Sequence, residues 1–197
     1  MNSAKMRPDK KADILKHAAL VFARYGYAAA SISTISSSVG ISKSAIYHHF
    51  DSKEDIYAEI VIDVLSSMCQ AVDQQIQAQT DPETKLRAFM HGHASYFEQH
   101  PEMITVTHFG FEGVRKMAKR EEITQWRDRY ERILRDILHE GQARRSFVAS
   151  DPSTVGRMVL SILNDMPRWF RPDGQYSATQ FADRYCDVIL NGIRFHG

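Results

Sequence analysis

Apolar positions recur every three to four residues along nearly the whole chain, the period of helices that each bury one face. Ile14, Ala18, Val21, Phe22 and Tyr25 mark a first helix from about Lys10 to Tyr25, with Gly26 placed to end it in a left-handed cap. Ile56, Ile60, Val64 and Met68 mark a long helix from about Lys53. After Thr80-Asp81-Pro82 comes a stripe of Leu86, Phe89, Met90, His93 and Phe97, which Pro101 closes. Trp126, Tyr130, Ile133, Leu134, Ile137 and Leu138 predict another long helix ending near Gly141. Asp151-Pro152 reads as an N-cap with proline at the first helical position, followed by Val155, Met158, Val159, Ile162 and Met166 on one face. Phe181, Tyr185, Val188, Ile189 and Gly192 line the last helix. No window alternates as a strand does, and no repeat is visible. The expected fold is all-α, with about eight to ten helices.

The texture changes between Gly26 and Phe50. Ser31 is placed to cap a short helix that turns Ile32, Ile35 and Val39 inward, and small Ser36 lets a second helix cross closely. Gly40 permits the positive φ of a tight reversal, Ile41 plugs the joint, and Ser42 caps a second short helix with Ala45, Ile46 and Phe50 inside. Short helix, glycine turn, short helix is the helix-turn-helix pattern. The outer face of the second helix shows Lys43, Ser44, Tyr47 and His48, donors and a ring that suit phosphates and base edges in a major groove. Tyr47 either meets DNA or packs at the motif's edge. Of His48 and His49, the spacing turns His48 toward DNA.

Charge sharpens this reading. Residues 1–53 hold eight cations (Lys5, Arg7, Lys10, Lys11, Lys16, Arg24, Lys43, Lys53) against three anions (Asp9, Asp13, Asp51), a net of +5. The whole chain is only +1, so the remainder is mildly acidic. A basic head on an acidic body suits a polyanionic partner for the head alone. Lys5, Arg7, Lys10 and Lys11 form either a minor-groove arm or a solubilising tail. Of the 197 residues, 43% are hydrophobic and 25% charged, which excludes disorder as the main state. No run approaches the roughly 18 apolar residues of a membrane span, and the first residues lack the apolar core of a secretory signal. Cys69 and Cys186 match no metal or redox spacing. A cytoplasmic protein without membrane contact is expected.

The run Phe22-Ala-Arg-Tyr-Gly-Tyr27, then Ile35, Gly40-Ile41-Ser42-Lys43, Tyr47-His-His-Phe50 and Lys53-Glu54-Asp55-Ile56 resembles the TetR family of bacterial transcriptional repressors. The resemblance spans about residues 10–57; Ala30, Ser36 and Ser44 stand where threonine, alanine and glycine are common. It implies a helix-turn-helix head over residues 1–53 and a ligand-binding, dimerising helical bundle over residues 54–197. It also implies a homodimer on palindromic double-stranded DNA, released by a small hydrophobic effector. Ser31 and Thr34 match phosphate contacts of the second helix, and Lys43, Ser44, Tyr47 and His48 match the recognition helix. Lys53 matches a cation that approaches a phosphate from the start of the fourth helix. The apolar stripes of the last two helices are wide enough to serve both a subunit core and a two-fold partner.

In the body, His91 and His93 lie on nearly opposite helix faces, and His93 shares a face only with His100. No carboxylate joins them, so no metal site is expected. No nucleophile–base pairing or glycine-rich phosphate loop is visible, so neither catalysis nor a cofactor is expected. The segment Met103–Phe111 is apolar with two threonines and a histidine, and is either plain core or a cavity wall. Farther on, Pro167 should kink or end a helix, followed by Arg168-Trp169-Phe170-Arg171-Pro172-Asp173-Gly174. That run resembles a motif of TetR regulators responding to acyl-CoA thioesters. An apolar interior beside an arginine-rich aromatic corner suits such a thioester, with its acyl part expected near Phe97, Phe109 and Trp126, its nucleotide near Arg168, Trp169 and Arg171, and His93 and Val106 also expected to bind the ligand. The corner's rings are otherwise only the cap of a dimer bundle; for the whole chain, a helical small-molecule carrier with no sequence-specific DNA role is the alternative.

Overall fold

The computed structural model describes residues 10–109, 119–148 and 151–194, with His108 and Phe109 as backbone only. Ten helices lie within these residues: α1 (Lys10–Ala29), α2 (Ile32–Val39), α3 (Lys43–Tyr47), α4 (Lys53–Gln77), α5 (Pro82–Gln99), α6 (Pro101–Phe109), α7 (Arg120–Ala143), α8 (Pro152–Asn164), α9 (Met166–Trp169) and α10 (Ala178–Ile193). The fold is all-α. Among the described residues the only extended pairing is an isolated bridge between Phe147 and Arg194.

Most helix ends follow local chemistry. Asp81 caps α5 by accepting from the Thr84 N–H at 3.0 Å, and Asp151 caps α8 by accepting from the Ser153 and Thr154 N–H groups. Ser177 and Gln180 form a reciprocal capping box at α10. Two ends depart from expectation. Gly26 has φ 76° and ψ 156°, which is not a left-handed cap but a kink, and the chain resumes helical turns to Ala29. The expected break near Pro167 is present but falls earlier: α8 ends at Asn164, and Pro167 sits in the first turn of α9, where a proline is tolerated.

The chain divides into two compact units. Of the described residues, the first holds 10–64, 102–109 and 119–123. Its interior draws Ile14, Ala18 and Phe22 from α1, Ile35 from α2, Ile46 from α3 and Ile56, Tyr57 and Ile60 from α4, all buried. The second holds 65–101, 124–148 and 151–194. There α5 packs against α10 and, less extensively, α8. Leu86, Phe89, Met90 and Ala94 of α5 are buried, as are Ala182, Cys186, Ile189 and Leu190 of α10. Polar ties pin the same pair of helices. Arg194 donates to both carboxylate oxygens of Glu83 at 2.9 and 2.7 Å, and the Ala178 N–H donates to Glu98 at 2.5 Å.

Candidate nucleic-acid interface and effector region

Ser31 starts α2 by accepting from the Thr34 N–H at 3.1 Å, and the two hydroxyls share a hydrogen bond of 2.9 Å. Ile35 and Ser36 are buried on the inner face, and the Ser36 hydroxyl donates to the Ser33 carbonyl. Gly40 has φ 76° and ψ 34°, and its N–H and that of Ile41 both donate to the Ser36 carbonyl. Ser42 then caps α3, accepting from the Ala45 N–H at 3.1 Å. With Ile46 and Phe50 anchored inside, Lys43, Ser44, Tyr47 and His48 are exposed together, Tyr47 at 54%. His49 is exposed as well, its ring edge-on to that of His48 at 5.3 Å between centroids. Four donor-bearing side chains, two of them rings, therefore stand on one short face.

Lys53 lies at the first turn of α4, where sequence reading expects a phosphate contact. Its Nζ donates to the Tyr27 and Ala30 carbonyls, both at 2.9 Å, and stands 4.4 Å from the centre of the Tyr27 ring. The neighbouring Glu54 accepts a 2.7 Å hydrogen bond from the Tyr27 hydroxyl. That bond holds the Glu54 carboxyl below its ordinary range, while burial and the same carboxylate push the Tyr27 phenol up. Lys53 and Glu54 thus hold the end of α1 beyond its Gly26 kink. Nearby, Lys119 bridges Asp55 and Glu59, and Lys11 pairs with Glu59 at 2.9 Å. Burial acts to raise the Glu59 carboxyl, but the two lysines outweigh it and hold it low. Sequence reading missed these ties; only the Tyr27 and Lys53-Glu54 positions within the resembling motif hinted at one.

The residues expected around an effector fall into three groups. His93, Phe97 and Trp126 lie in the second unit with Arg168, Trp169 and Arg171, whereas Val106 belongs to the first unit. The Val106 carbonyl accepts from the Tyr57 hydroxyl at 2.8 Å. The Phe109 side chain lies outside the described residues. His93 is 2% exposed and shares a 2.9 Å hydrogen bond with the Tyr130 hydroxyl; burial pushes its imidazole down to about 4. Phe97, one turn on, meets the Phe170 ring edge-on at 5.4 Å. Trp169 packs edge-on against Phe181 at 5.1 Å and lies near Tyr185. Trp126 is half-buried, with the Arg129 guanidinium 5.4 Å from its ring. Arg168 is 63% exposed beside Asp165 at 3.6 Å, and Arg171 is exposed. The corner therefore joins apolar rings to two outward arginines. His100, expected on the His93 face, is exposed and stacked near Tyr96. Among the described residues, no three His, Cys, Asp or Glu are grouped to hold a metal ion.

Two capped short helices joined by a glycine turn, with a polar outer face on the second, define a helix-turn-helix DNA-binding protein. The chain belongs to the TetR family: residues 14–60 match the bacterial regulatory proteins of the tetR family, and residues 79–193 match the tetracyclin repressor-like C-terminal domain. It is accordingly a DNA-binding transcriptional regulator, of a family of regulators and not of enzymes. The HTH-type transcriptional repressor KstR2 of Mycolicibacterium smegmatis is 30% identical over 196 residues, covering 93% of this chain and 90% of that one. The crystal structure of the TetR family regulator PfmR from Thermus thermophilus is 39% identical with a TM-score of 0.83, covering 90% of this chain and 97% of that one. AibR, solved with isovaleryl coenzyme A and operator DNA, shares the fold at 20% identity and a TM-score of 0.85, over 92% and 98% of the two chains. No helix among the described residues is long and apolar enough to cross a membrane.

Proposed function

We propose that this regulator is a repressor that binds a palindromic operator as a homodimer and is released by an acyl-CoA thioester. The observation behind the DNA reading is the exposed α3 face of Lys43, Ser44, Tyr47 and His48, mounted on a buried Ile46 and a capping Ser42. In this reading Ser31, Thr34 and Lys53 flank it with phosphate contacts, and residues 1–53 form the DNA-binding head. The basic head favours this over a carrier.

The effector reading rests on the corner after α8. Phe97, Phe170 and Trp169 supply rings, while Arg168 and Arg171 are outward cations. A CoA ester asks for both, because its acyl part seeks apolar burial and its phosphates seek charge-assisted hydrogen bonds of roughly 1.5–3 kcal/mol each. The AibR complex with isovaleryl coenzyme A supports a ligand of this class. His93 and Trp126 line the acyl side in this reading.

The test is operator release titrated with acyl-CoAs, the matching free acids and free CoA. Acyl-CoAs should release the operator at the lowest concentration. Arg168→Ala with Arg171→Ala should raise that concentration about ten-fold or more, since ~1.4 kcal/mol is a factor of ten. Equal release by free acids, or indifference to the double substitution, would overturn the effector reading.

A further inference from the structure

The first unit contains a cavity of about 190 Å³ beside the kink of α1. Its walls come from α1, from Tyr57 of α4 and from Thr105 and Val106 of α6. The gap has a local cause. Ala23 and Gly26 lie one turn apart and bring almost no side-chain volume, and Gly26 has a φ of +76° that a larger residue rarely adopts. A Cβ built on Gly26 meets nothing within 4 Å.

The lining is aromatic. Phe22, Tyr27 and Tyr57 form a triangle of rings with centroids 5.6, 5.7 and 5.0 Å apart. The Tyr27 hydroxyl is committed to Glu54 and the Tyr57 hydroxyl to the Val106 carbonyl, so the rings offer hydrocarbon edges and faces. No side chain of the lining is ionisable at neutral pH. The cavity opens to solvent where Gly26 is exposed and Ala23 and Tyr27 are half-buried. Its volume exceeds the roughly 150 Å³ that takes up benzene in an enclosed apolar cavity, and rings favour edge-to-face partners with centroids about 4.5–7 Å apart.

We propose that this cavity is a binding site for a small uncharged aromatic molecule of about one ring. Of the residues expected around the acyl-CoA only Val106 lines it; Phe97, Trp126, Arg168, Trp169 and Arg171 do not, so the cavity is distinct from the corner on which the acyl-CoA reading rests. The Lys53 ammonium over the Tyr27 ring is committed to the Tyr27 and Ala30 carbonyls. A carboxylate buried in the cavity would therefore lose hydration that the lining does not replace, and an uncharged ring is favoured.

The experiment uses the full chain with toluene and benzoate as probes, followed through the methyl resonances of Ala23 and Val106. Toluene should shift both saturably, and benzoate should bind at least ten-fold more weakly. Ala23→Leu fills the space from a helical position and should weaken toluene binding ten-fold or more with an unchanged helical circular dichroism spectrum. If that variant fails to fold, Thr105→Leu fills the cavity from the α6 side with the same expectation. Absence of saturable shifts, equal binding of benzoate, or undiminished toluene binding in a folded filled variant would each overturn the proposal.

Discussion

Tyr47 and Lys53 separate two ways in which a side chain serves DNA binding. Tyr47 is exposed and makes no anchoring contact in the interior, so its removal should leave stability alone. Tyr47→Ala should reduce the preference for operator over random duplex about ten-fold, measured by competition binding, which is ~1.4 kcal/mol. Lys53 instead satisfies two carbonyls of the α1 end. Lys53→Ala should cost about 1–3 kcal/mol of stability, and should also flatten the salt dependence of DNA binding by about one unit if its remaining N–H reaches a phosphate. Lost stability with an unchanged salt slope would make Lys53 a tie for α1 alone. His93 makes a different prediction. Its buried imidazole has a folded pKa near 4, below the ordinary 6.5, so between those values the unfolded chain binds the extra proton. Stability should therefore fall as pH drops from about 6.5 toward 4, by up to ~1.4 kcal/mol per unit. Denaturant unfolding at pH 7 and 5 should show a smaller loss for His93→Gln than for the unchanged protein.

At the scale of elements, two glycines do different work. Gly40 sits in the left-handed region, where alanine costs about 1–2 kcal/mol. Gly26 pairs positive φ with an extended ψ, a region almost confined to glycine, with a cost of about 1–3 kcal/mol. Gly26→Ala should lower the melting temperature more than Gly40→Ala, and neither can be blamed on a clash, since a Cβ at either meets nothing within 4 Å. Ser42→Ala removes the α3 cap and should cost about 1 kcal/mol. A helix of five residues has little stability of its own, so that loss should weaken operator binding as well.

At the scale of the whole molecule, the proposed homodimer needs an apolar surface that the subunit core leaves open. On α10 the buried face runs through Ala182, Cys186 and Ile189, while Val188 is 71% exposed and Phe181 and Tyr185 are half-buried. Gly192 is exposed four residues beyond Val188 and leaves room for a close approach. On α8, Met158 is exposed and Ile162 half-buried while Val159 and Leu163 face inward. These leftover apolar positions suit a self-complementary two-fold interface. Val188→Glu should give monomers in sedimentation and weaken operator binding. A wild-type monomer at micromolar concentration would remove the dimer reading.

The all-α class, the helix-turn-helix and the order of the longer helices were legible in the sequence because their causes are local, whereas α6 was read only as an apolar segment after Pro101 and α9 only as a break at Pro167. An N-cap acts over three residues, a glycine turn over two or three, and an apolar stripe repeats within one helix. Ser31, Gly40, Ser42, Asp81 and Asp151 accordingly do what their residue types and neighbours dictate. Gly26 was half-legible: its positive φ followed from its type, but the extended ψ and the turns beyond it depend on Lys53 and Glu54, more than twenty residues on. The same distance hides the pairing of His93 with Tyr130 and of Tyr57 with the Val106 carbonyl. It hides too the cavity left by Ala23 and Gly26, and the division between core and outward faces on α8 and α10. Chain neighbours constrain dihedrals and caps directly, whereas partners distant in sequence meet only after the helices have packed, and that packing alone settled which polar groups were paired and which apolar ones stayed exposed.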